Sequence, residues 1–403
     1  MPTATIAAVG SSELGKTDLP GRDLFSAALA EAFEGGPDPA EVVDAVYVGN
    51  QSESYENQIM YGTLLAEWAG LRNVPAERVE ACAAAGALAL KNAVRDVRTG
   101  VHDAVLACGV EKMTAGGTEG ATNALSAAFE RALEQRSGIT APSQYAMLAQ
   151  RYCHDFDVSE ADLAEIAVKN HSNAADNPRA MFQREIDTDQ VLESDYVAPP
   201  LKLFDCAPVT DGAAAVLIAN EDVASEFGLG GAGDDAATDA DPDTDADTVA
   251  VTGSSVMVNN LAVAERDLTF VEGAQIAANE AYDQAGVEAA DVDVAEVHDA
   301  FTVCEALLAE AAGFAPEGTG VESAMEPEDR SEGWTDVRIN TSGGLKARGH
   351  AIGATGLLQA VEAVEQLTGQ AGDRQVEGAE TALLINEGGL ADAATAAHLL
   401  EAR

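Results

Sequence analysis

Three side chains in this chain of 403 residues are suited to nucleophilic acyl chemistry, and each lies beside small residues. Cys82 heads an alanine-rich run, His350 lies between glycines within 343–356, and His298 follows an apolar segment. A thiolate attacks a carbonyl carbon, while an imidazole accepts the thiol proton or donates a hydrogen bond to the developing oxyanion. The three residues together predict nucleophilic acyl transfer.

The position of Cys82 predicts a reactive thiol. Cys82 follows a short strand-like segment, 79–81, and precedes a helical pattern over 83–97. The N-terminus of a helix favours the thiolate, which lowers the pKa of the thiol. A cysteine in an alanine-rich run is, taken alone, more often a core residue. The catalytic interpretation of Cys82 therefore depends on the two histidines.

The segment that carries His350 is the most specific motif in the chain. Residues 349–356 read Gly-His-Ala-Ile-Gly-Ala-Thr-Gly. This resembles the thiolase motif Gly-His-Pro-x-Gly-x-(Ser/Thr)-Gly, with Ala351 in place of the usual proline. Residues 298–301 read His-Asp-Ala-Phe, which resembles the sterol-carrier-type and archaeal acetoacetyl-CoA thiolases; many other thiolases have Asn-Glu-Ala-Phe there. The resemblance covers nearly the whole chain.

The resemblance implies a role for each of the three residues. Cys82 corresponds to the nucleophile, and His350 to the base that takes its proton. His298 corresponds to the residue that donates a hydrogen bond, or moves a proton, at the oxyanion. The resemblance also implies that the backbone N–H groups of Gly388 and Cys82 bind the thioester oxygen.

The last motif departs from the family pattern. Asn386 stands where most thiolases have a cysteine that deprotonates the second acyl-CoA, and a carboxamide has no useful pKa for this work. His298 is one candidate for the missing acid/base. Cys304, six residues further along in a predicted helix, is the other, although core packing is the commoner role for such a cysteine.

The activity that the resemblance implies is a CoA-dependent thiolase reaction. It would run as a Claisen condensation of two acyl-CoA molecules, such as acetyl-CoA to acetoacetyl-CoA, or as thiolytic cleavage of a 3-ketoacyl-CoA. A ketoacyl synthase is an alternative, although its His-Gly-Thr motif would replace residues 298–301. A hydroxymethylglutaryl-CoA synthase would use a glutamate such as Glu80, but the other motifs disagree. A non-catalytic acyl-CoA- or lipid-binding homologue is also open, because the second cysteine is missing.

The resemblance implies CoA thioesters as substrates, with no bound cofactor and no metal. It implies a homo-oligomer, either a dimer or a tetramer. Archaeal relatives further suggest assembly with a small OB-fold, zinc-ribbon protein and a hydroxymethylglutaryl-CoA synthase. The five cysteines are odd in number and contain no Cys-x-x-Cys pair, which argues against a disulfide framework and an internal zinc site.

The elements that must position these residues follow an α/β pattern. Strand-like and helical segments alternate in both halves of the chain, which predicts a parallel sheet covered on both faces. The resemblance implies a duplicated, five-layer αβαβα thiolase fold with an inserted helical loop domain. The predicted first core domain comprises 1–113 plus 205–248, the loop domain 114–204, and the second core domain 249–403.

The composition limits which partners the protein can bind and which cellular compartment suits it. There are 69 acidic and 22 basic residues, for a formal net charge of −47, and such a surface repels nucleic acid and anionic membranes. The charge predicts a soluble protein of a high-salt cytoplasm, such as that of a halophilic archaeon, where salt screens self-repulsion. No signal peptide or membrane-spanning run is predicted. Residues 230–247 are predicted to form an exposed acidic loop.

Overall fold

The computed structural model describes residues 2–227 and 248–403, so the predicted acidic loop at 230–247 lies outside the described residues. The strands are β1 Thr5–Ser11, β2 Ala45–Gly49, β3 Ala76–Val79, β4 Ala104–Lys112, β5 Tyr196–Ala198, β6 Leu201–Lys202, β7 Asp211–Ala219, β8 Val249–Val258, β9 Val294–Val297, β10 Arg338–Ile339, β11 Thr381–Gly388 and β12 Ala394–Ala402. The helices are α1 Gly21–Ala32, α2 Pro39–Val42, α3 Tyr61–Trp68, α4 Ala85–Thr99, α5 Gly117–Ser126, α6 Ala141–Phe156, α7 Glu160–Ala175, α8 Thr188–Glu193, α9 Glu221–Ala224, α10 Glu272–Ala285, α11 Thr302–Ala311 and α12 Thr355–Leu367.

The two halves of the chain repeat one strand topology. The large sheet has the order β10-β9-β11-β12-β8-β1-β7-β4-β2-β3, and β1 joins β8 at its centre. Outward from this junction, each half shows two antiparallel pairings and then two parallel ones. The predicted duplication is confirmed, but the predicted parallel pairing holds only for the outer strands of each half and is wrong for the central strands. Only five residues connect β11 to β12, which is too short for a parallel crossover.

The helices and the two halves of the sheet stack in five layers, as predicted: each half of the sheet forms one layer, and helices lie between and outside the two halves. Apolar residues of α4 and α12 form one central cluster with strand residues from both halves. Helices α1 and α3 cover the outer face of the first half, and α10 and α11 cover that of the second. Small residues permit this close packing: a Cβ at Gly10 would overlap Ala28 O, and a Cβ at Gly253 would overlap Ala281 O. These two contacts occupy matching places in the two halves.

A helical insertion separates β4 from β7 and packs against the second half. It contains α5 to α8 and the two-stranded β5–β6 sheet. Side chains of α6 pack in the same apolar cluster as α10 and α11. Within the described residues, none of the helices combines the length and the apolar character that crossing a bilayer requires.

Candidate active site

Cys82 lies on a sharp turn after β3, with a left-handed backbone conformation (φ +52°). A single 3₁₀ turn, Cys82–Ala84, precedes α4. Strand β11 packs directly against this turn: a Cβ at Gly388 would overlap Ala81 O, so only glycine fits at that position. A residue other than glycine in this conformation stores strain, which is common at functional sites.

The environment of Cys82 raises the pKa of its thiol to about 11. Burial of the sulfur is the largest cause; the backbone N–H groups of Gly389 and Ala83 act in the opposite direction, and the Glu80 carboxylate adds to the rise. The prediction that a helix N-terminus lowers this pKa is therefore wrong. The 3₁₀ turn separates the sulfur from the first residue of α4, and desolvation outweighs the backbone dipoles. A neutral thiol needs a base to become a nucleophile.

His350 is held on a turn that follows one π-helical turn, Gly344–Arg348. Its backbone N–H donates to Thr210 Oγ1 at 3.0 Å, and its ring Nδ1 lies 2.8 Å from Thr355 Oγ1. Two residues later, Ile352 lies in the small apolar cluster against which Cys82 packs. The structure thus brings the His350 turn beside the predicted nucleophile.

His298 directly follows β9 and faces His350. The two ring centroids are 5.1 Å apart at an interplanar angle of 81°, and His298 Nδ1 lies 3.0 Å from Asn386 Nδ2. Burial lowers the pKa of His298 to about 3 and that of His350 well below its usual value, and the nearby Arg348 charge acts in the same direction on both. Both imidazoles are therefore neutral near pH 7.

The group that links the two histidine segments, Asp299, is not among the site residues predicted from the sequence. The Asp299 carboxylate accepts from the Leu345 N–H at 2.6 Å and from Asn170 Nδ2 at 2.8 Å. It occupies the space that a side chain at Gly344 (φ +58°) would fill. One carboxylate therefore ties the end of β9 to the His350 turn and to α7. The signal was present as an aspartate beside His298 and a Gly-Gly pair before the His350 motif.

A second buried carboxylate supports the turn from the other half of the fold. Glu111 accepts from the N–H groups of Gln51 and Gly353, at 2.6 and 3.2 Å, and from Asn50 Nδ2 at 2.8 Å. Burial raises the pKa of Glu111 to about 8. Glu111 thus connects the ends of β2 and β4 to the segment that follows His350.

The structure does not group Cys304 with the two histidines. Cys304 lies in the first turn of α11, buried in the outer apolar cluster of the second half. Leu383 and Ile385 of β11 belong to that outer cluster, whereas Ala382 and Leu384 belong to the central one. Side chains alternate along a strand, so Asn386 shares the central face. The packing interpretation of Cys304 is favoured over the acid/base interpretation.

A cavity of about 500 Å³ opens onto the nucleophile turn, a size typical of small-molecule sites. Its lining includes Cys82, the predicted oxyanion residue Gly388 and the adjacent Gly389, together with Arg78 and Leu261. The Cys82 N–H donates to Glu80 Oε1 at 2.7 Å. A substrate oxygen bound by this N–H would displace Glu80. Among the described residues, no group of three or more His, Cys, Asp or Glu side chains could hold a metal ion.

Comparisons with known proteins give matches over most of the chain. The family model described as "Thiolase, N-terminal domain" matches residues 3–222, and "Thiolase C-terminal domain-like" matches residues 254–401. The acetyl-CoA acetyltransferase of Methanothermobacter thermautotrophicus is 38% identical over 96% of this chain and 97% of its own length. A benzoylsuccinyl-CoA thiolase subunit of Thauera aromatica is 32% identical over 92% and 91%.

Solved structures show the same fold at lower identity. The structure titled "Ltp2-ChsH2(DUF35) aldolase" matches 99% of this chain and 98% of its own with a TM-score of 0.81 at 22% identity. A monomeric SCP2-thiolase-like protein from Mycobacterium smegmatis matches 99% of this chain and 77% of its own with a TM-score of 0.72 at 19% identity.

Proposed function

The chain belongs to the thiolase family, and we propose that it condenses two molecules of acetyl-CoA to acetoacetyl-CoA, or catalyses the reverse thiolysis, through a thioester on Cys82. The observation that carries this proposal is the pair of neutral imidazoles, 5.1 Å apart, with the segment that follows His350 packed against the strained turn of Cys82. The name of the Methanothermobacter relative supports acetyl-CoA as the substrate. Coenzyme A thioesters would enter as substrates and not as a resident cofactor.

The acylation half-reaction follows from the protonation states. Because the pKa of the Cys82 thiol is raised to about 11, the sulfur attacks as His350 removes its proton. The tetrahedral intermediate collapses to a Cys82 thioester, and the CoA thiolate leaves with the proton that His350 received. His350 is then neutral again and can act a second time.

Condensation requires removal of an α-proton from the second acyl-CoA. The resulting enolate attacks the Cys82 thioester, and the Cys82 thiolate leaves and is reprotonated. We propose that His298 donates a hydrogen bond to the enolate oxygen. The contact between its ring and that of His350 supports this role. The N–H groups of Gly388 and Cys82 would hold the oxygen of the enzyme-bound thioester once Glu80 is displaced.

The partners and the compartment form part of the same proposal. We expect a homo-oligomer, because the family resemblance implies one. A solved neighbour carries in its name a second component, ChsH2(DUF35), beside Ltp2, which supports the expectation of a protein partner for this chain. The resemblance implies that this partner is a small OB-fold, zinc-ribbon protein. The net charge of −47 supports a cytoplasmic enzyme of a high-salt cell that binds neither nucleic acid nor membranes.

Mass spectrometry after incubation with acetoacetyl-CoA tests the proposal. We expect an added acetyl group on the peptide that contains Cys82, and none in the Cys82→Ala variant. Circular dichroism of that variant should remain native. Appreciable thiolysis by Cys82→Ala would contradict the assignment of the nucleophile. A wild-type chain that binds acyl-CoA without forming the adduct would support the non-catalytic alternative.

A further inference from the structure

The position that lacks the family cysteine holds a buried carboxamide in contact with His298. Asn386 continues the central face of β11 and is 1% exposed. Its Nδ2 lies 3.0 Å from His298 Nδ1, while its Oδ1 lies beside Gly356. In this orientation of the amide, whose Oδ1 has no hydrogen-bond partner among the described residues, the NH₂ group donates and His298 Nδ1 accepts. The proton of the neutral His298 ring then lies on Nε2.

His350 shows the opposite arrangement. Its Nδ1 lies 2.8 Å from Thr355 Oγ1, and the same hydroxyl lies 3.2 Å from Ala351 O. A carbonyl oxygen only accepts, so the hydroxyl proton of Thr355 points to Ala351 and the oxygen accepts Nδ1–H from His350. The lone pair of His350 then lies on Nε2. Two neighbouring neutral imidazoles thus carry their protons on different nitrogens.

We propose that Asn386 is a positioning residue that holds His298 as the Nε2–H tautomer, so that His298 donates to the enolate oxygen and His350 is the single base of both half-reactions. This inference rests on the proposed function. It resolves the alternative left open for His298: a ring whose Nδ1 accepts from Asn386 has no free lone pair for the α-proton. No second thiol is needed, because His350 is neutral again after the CoA thiol leaves.

Nitrogen-15 NMR of the full-length protein tests the tautomer directly, and the six histidines make assignment practicable. The His298 signals, identified by their loss in His298→Gln, should show an unprotonated Nδ1 and a protonated Nε2. Asn386→Asp has the same shape but accepts instead of donating, so it should place a proton on Nδ1. A wild-type spectrum with the proton on Nδ1 would overturn the inference.

Kinetics of Asn386→Leu provide the second arm. Loss of the amide should let both His298 tautomers appear, and the ratio of the condensation rate to the Cys82 acylation rate should fall about 10-fold. A merely structural role would slow both half-reactions together. An unchanged tautomer and an unchanged ratio in Asn386→Leu would also overturn the inference. Failure of the proposed function would be distinguishable, since the wild-type chain would then form no Cys82 adduct whatever its tautomers.

Discussion

At the scale of single side chains, the site combines a neutral thiol with two neutral imidazoles. Burial is the first cause in each case: it raises the pKa of Cys82 and lowers those of His298 and His350. Before substrate binds, the site therefore holds a neutral thiol and neutral imidazoles and not a thiolate–imidazolium pair. The proton leaves Cys82 only as the sulfur attacks, which limits side reactions of the free enzyme.

The pH dependence of alkylation tests this protonation state. Iodoacetamide reacts with the thiolate, whose fraction rises tenfold per pH unit below the pKa. With the pKa of Cys82 raised to about 11, the rate of adduct formation should rise about 100-fold between pH 7 and pH 9, without a plateau. Peptide mass spectrometry would follow the Cys82 adduct alone, and Cys82→Ser serves as the blank. A rate that is already constant from pH 7 would indicate a preformed ion pair with His350.

His298 and Cys304 give a second pair of matched variants. We expect His298→Ala to lose carbon–carbon bond formation by about 100-fold or more, because it removes a donor at the developing oxyanion. Cys304→Ala should retain both acylation and condensation, since Cys304 packs in the outer apolar cluster. Separate assays of Cys82 acylation and of acetoacetyl-CoA formation distinguish the two steps. If Cys304→Ala acylates but does not condense, Cys304 is the displaced second cysteine.

At the scale of elements, strand alternation decides which residues reach the site. The resemblance to thiolase motifs singled out the segments that carry Cys82, His298 and His350, and the structure brings these segments together. The catalytic roles of the three residues stay predictions. The sequence could not decide the role of Cys304, because a side chain in the first turn of a helix can face either layer of the fold. The face became clear only from β11, where Leu383 and Ile385 pack outward and Asn386 inward.

The protonation states of the site residues and the antiparallel strand pairings could not be predicted from the sequence either. A pKa depends on burial by distant segments, such as the approach of Gly388 and Gly389 to the Cys82 turn. The antiparallel neighbours depend on which strands pair after the insertion, and periodicity reports strands without their partners. Local motifs are encoded by neighbours in sequence, whereas these features arise from contacts across the fold.

The close approach of β11 to the nucleophile turn yields an element-scale prediction. Gly388→Ala places a methyl group against Ala81 O, which is backbone and cannot rotate away. We expect the Cys82 turn to shift and the acylation rate to fall at least about 100-fold, since small displacements of reacting groups have such effects. The unfolding temperature should also drop.

Gly120→Ala is the matched control for this variant. Gly120 lies in α5 with open space around its Cα, so an added methyl group should leave acylation intact and slightly stabilise the helix. Equal acylation rates for Gly388→Ala and Gly120→Ala would show that the contact between β11 and the Cys82 turn does not set the geometry of the nucleophile.

At the scale of the whole molecule, the duplicated fold carries a large excess of acidic over basic residues. Several of the 22 basic residues are used in buried ion pairs, such as Arg348–Glu296 and Arg374–Glu362 at 3.3 and 3.0 Å. Each such pair is neutral, so the net charge of −47 remains for the rest of the chain to carry. Like charges on the surface repel in the folded state more than in the expanded unfolded chain.

Salt should therefore stabilise the fold by screening. The Debye length falls from about 10 Å at 0.1 M to about 3 Å at 1 M salt, so repulsion between surface carboxylates should largely vanish over this range. We expect the unfolding temperature to rise on the order of 10 °C between 0.1 and 1 M KCl, as measured by calorimetry. The buried ion pairs are shielded from salt and should not offset this gain. A screening effect levels off near 1 M, whereas exclusion of salt from the protein surface continues to grow with concentration. A flat curve below 1 M would contradict the high-salt interpretation of the charge, whatever happens at higher concentrations.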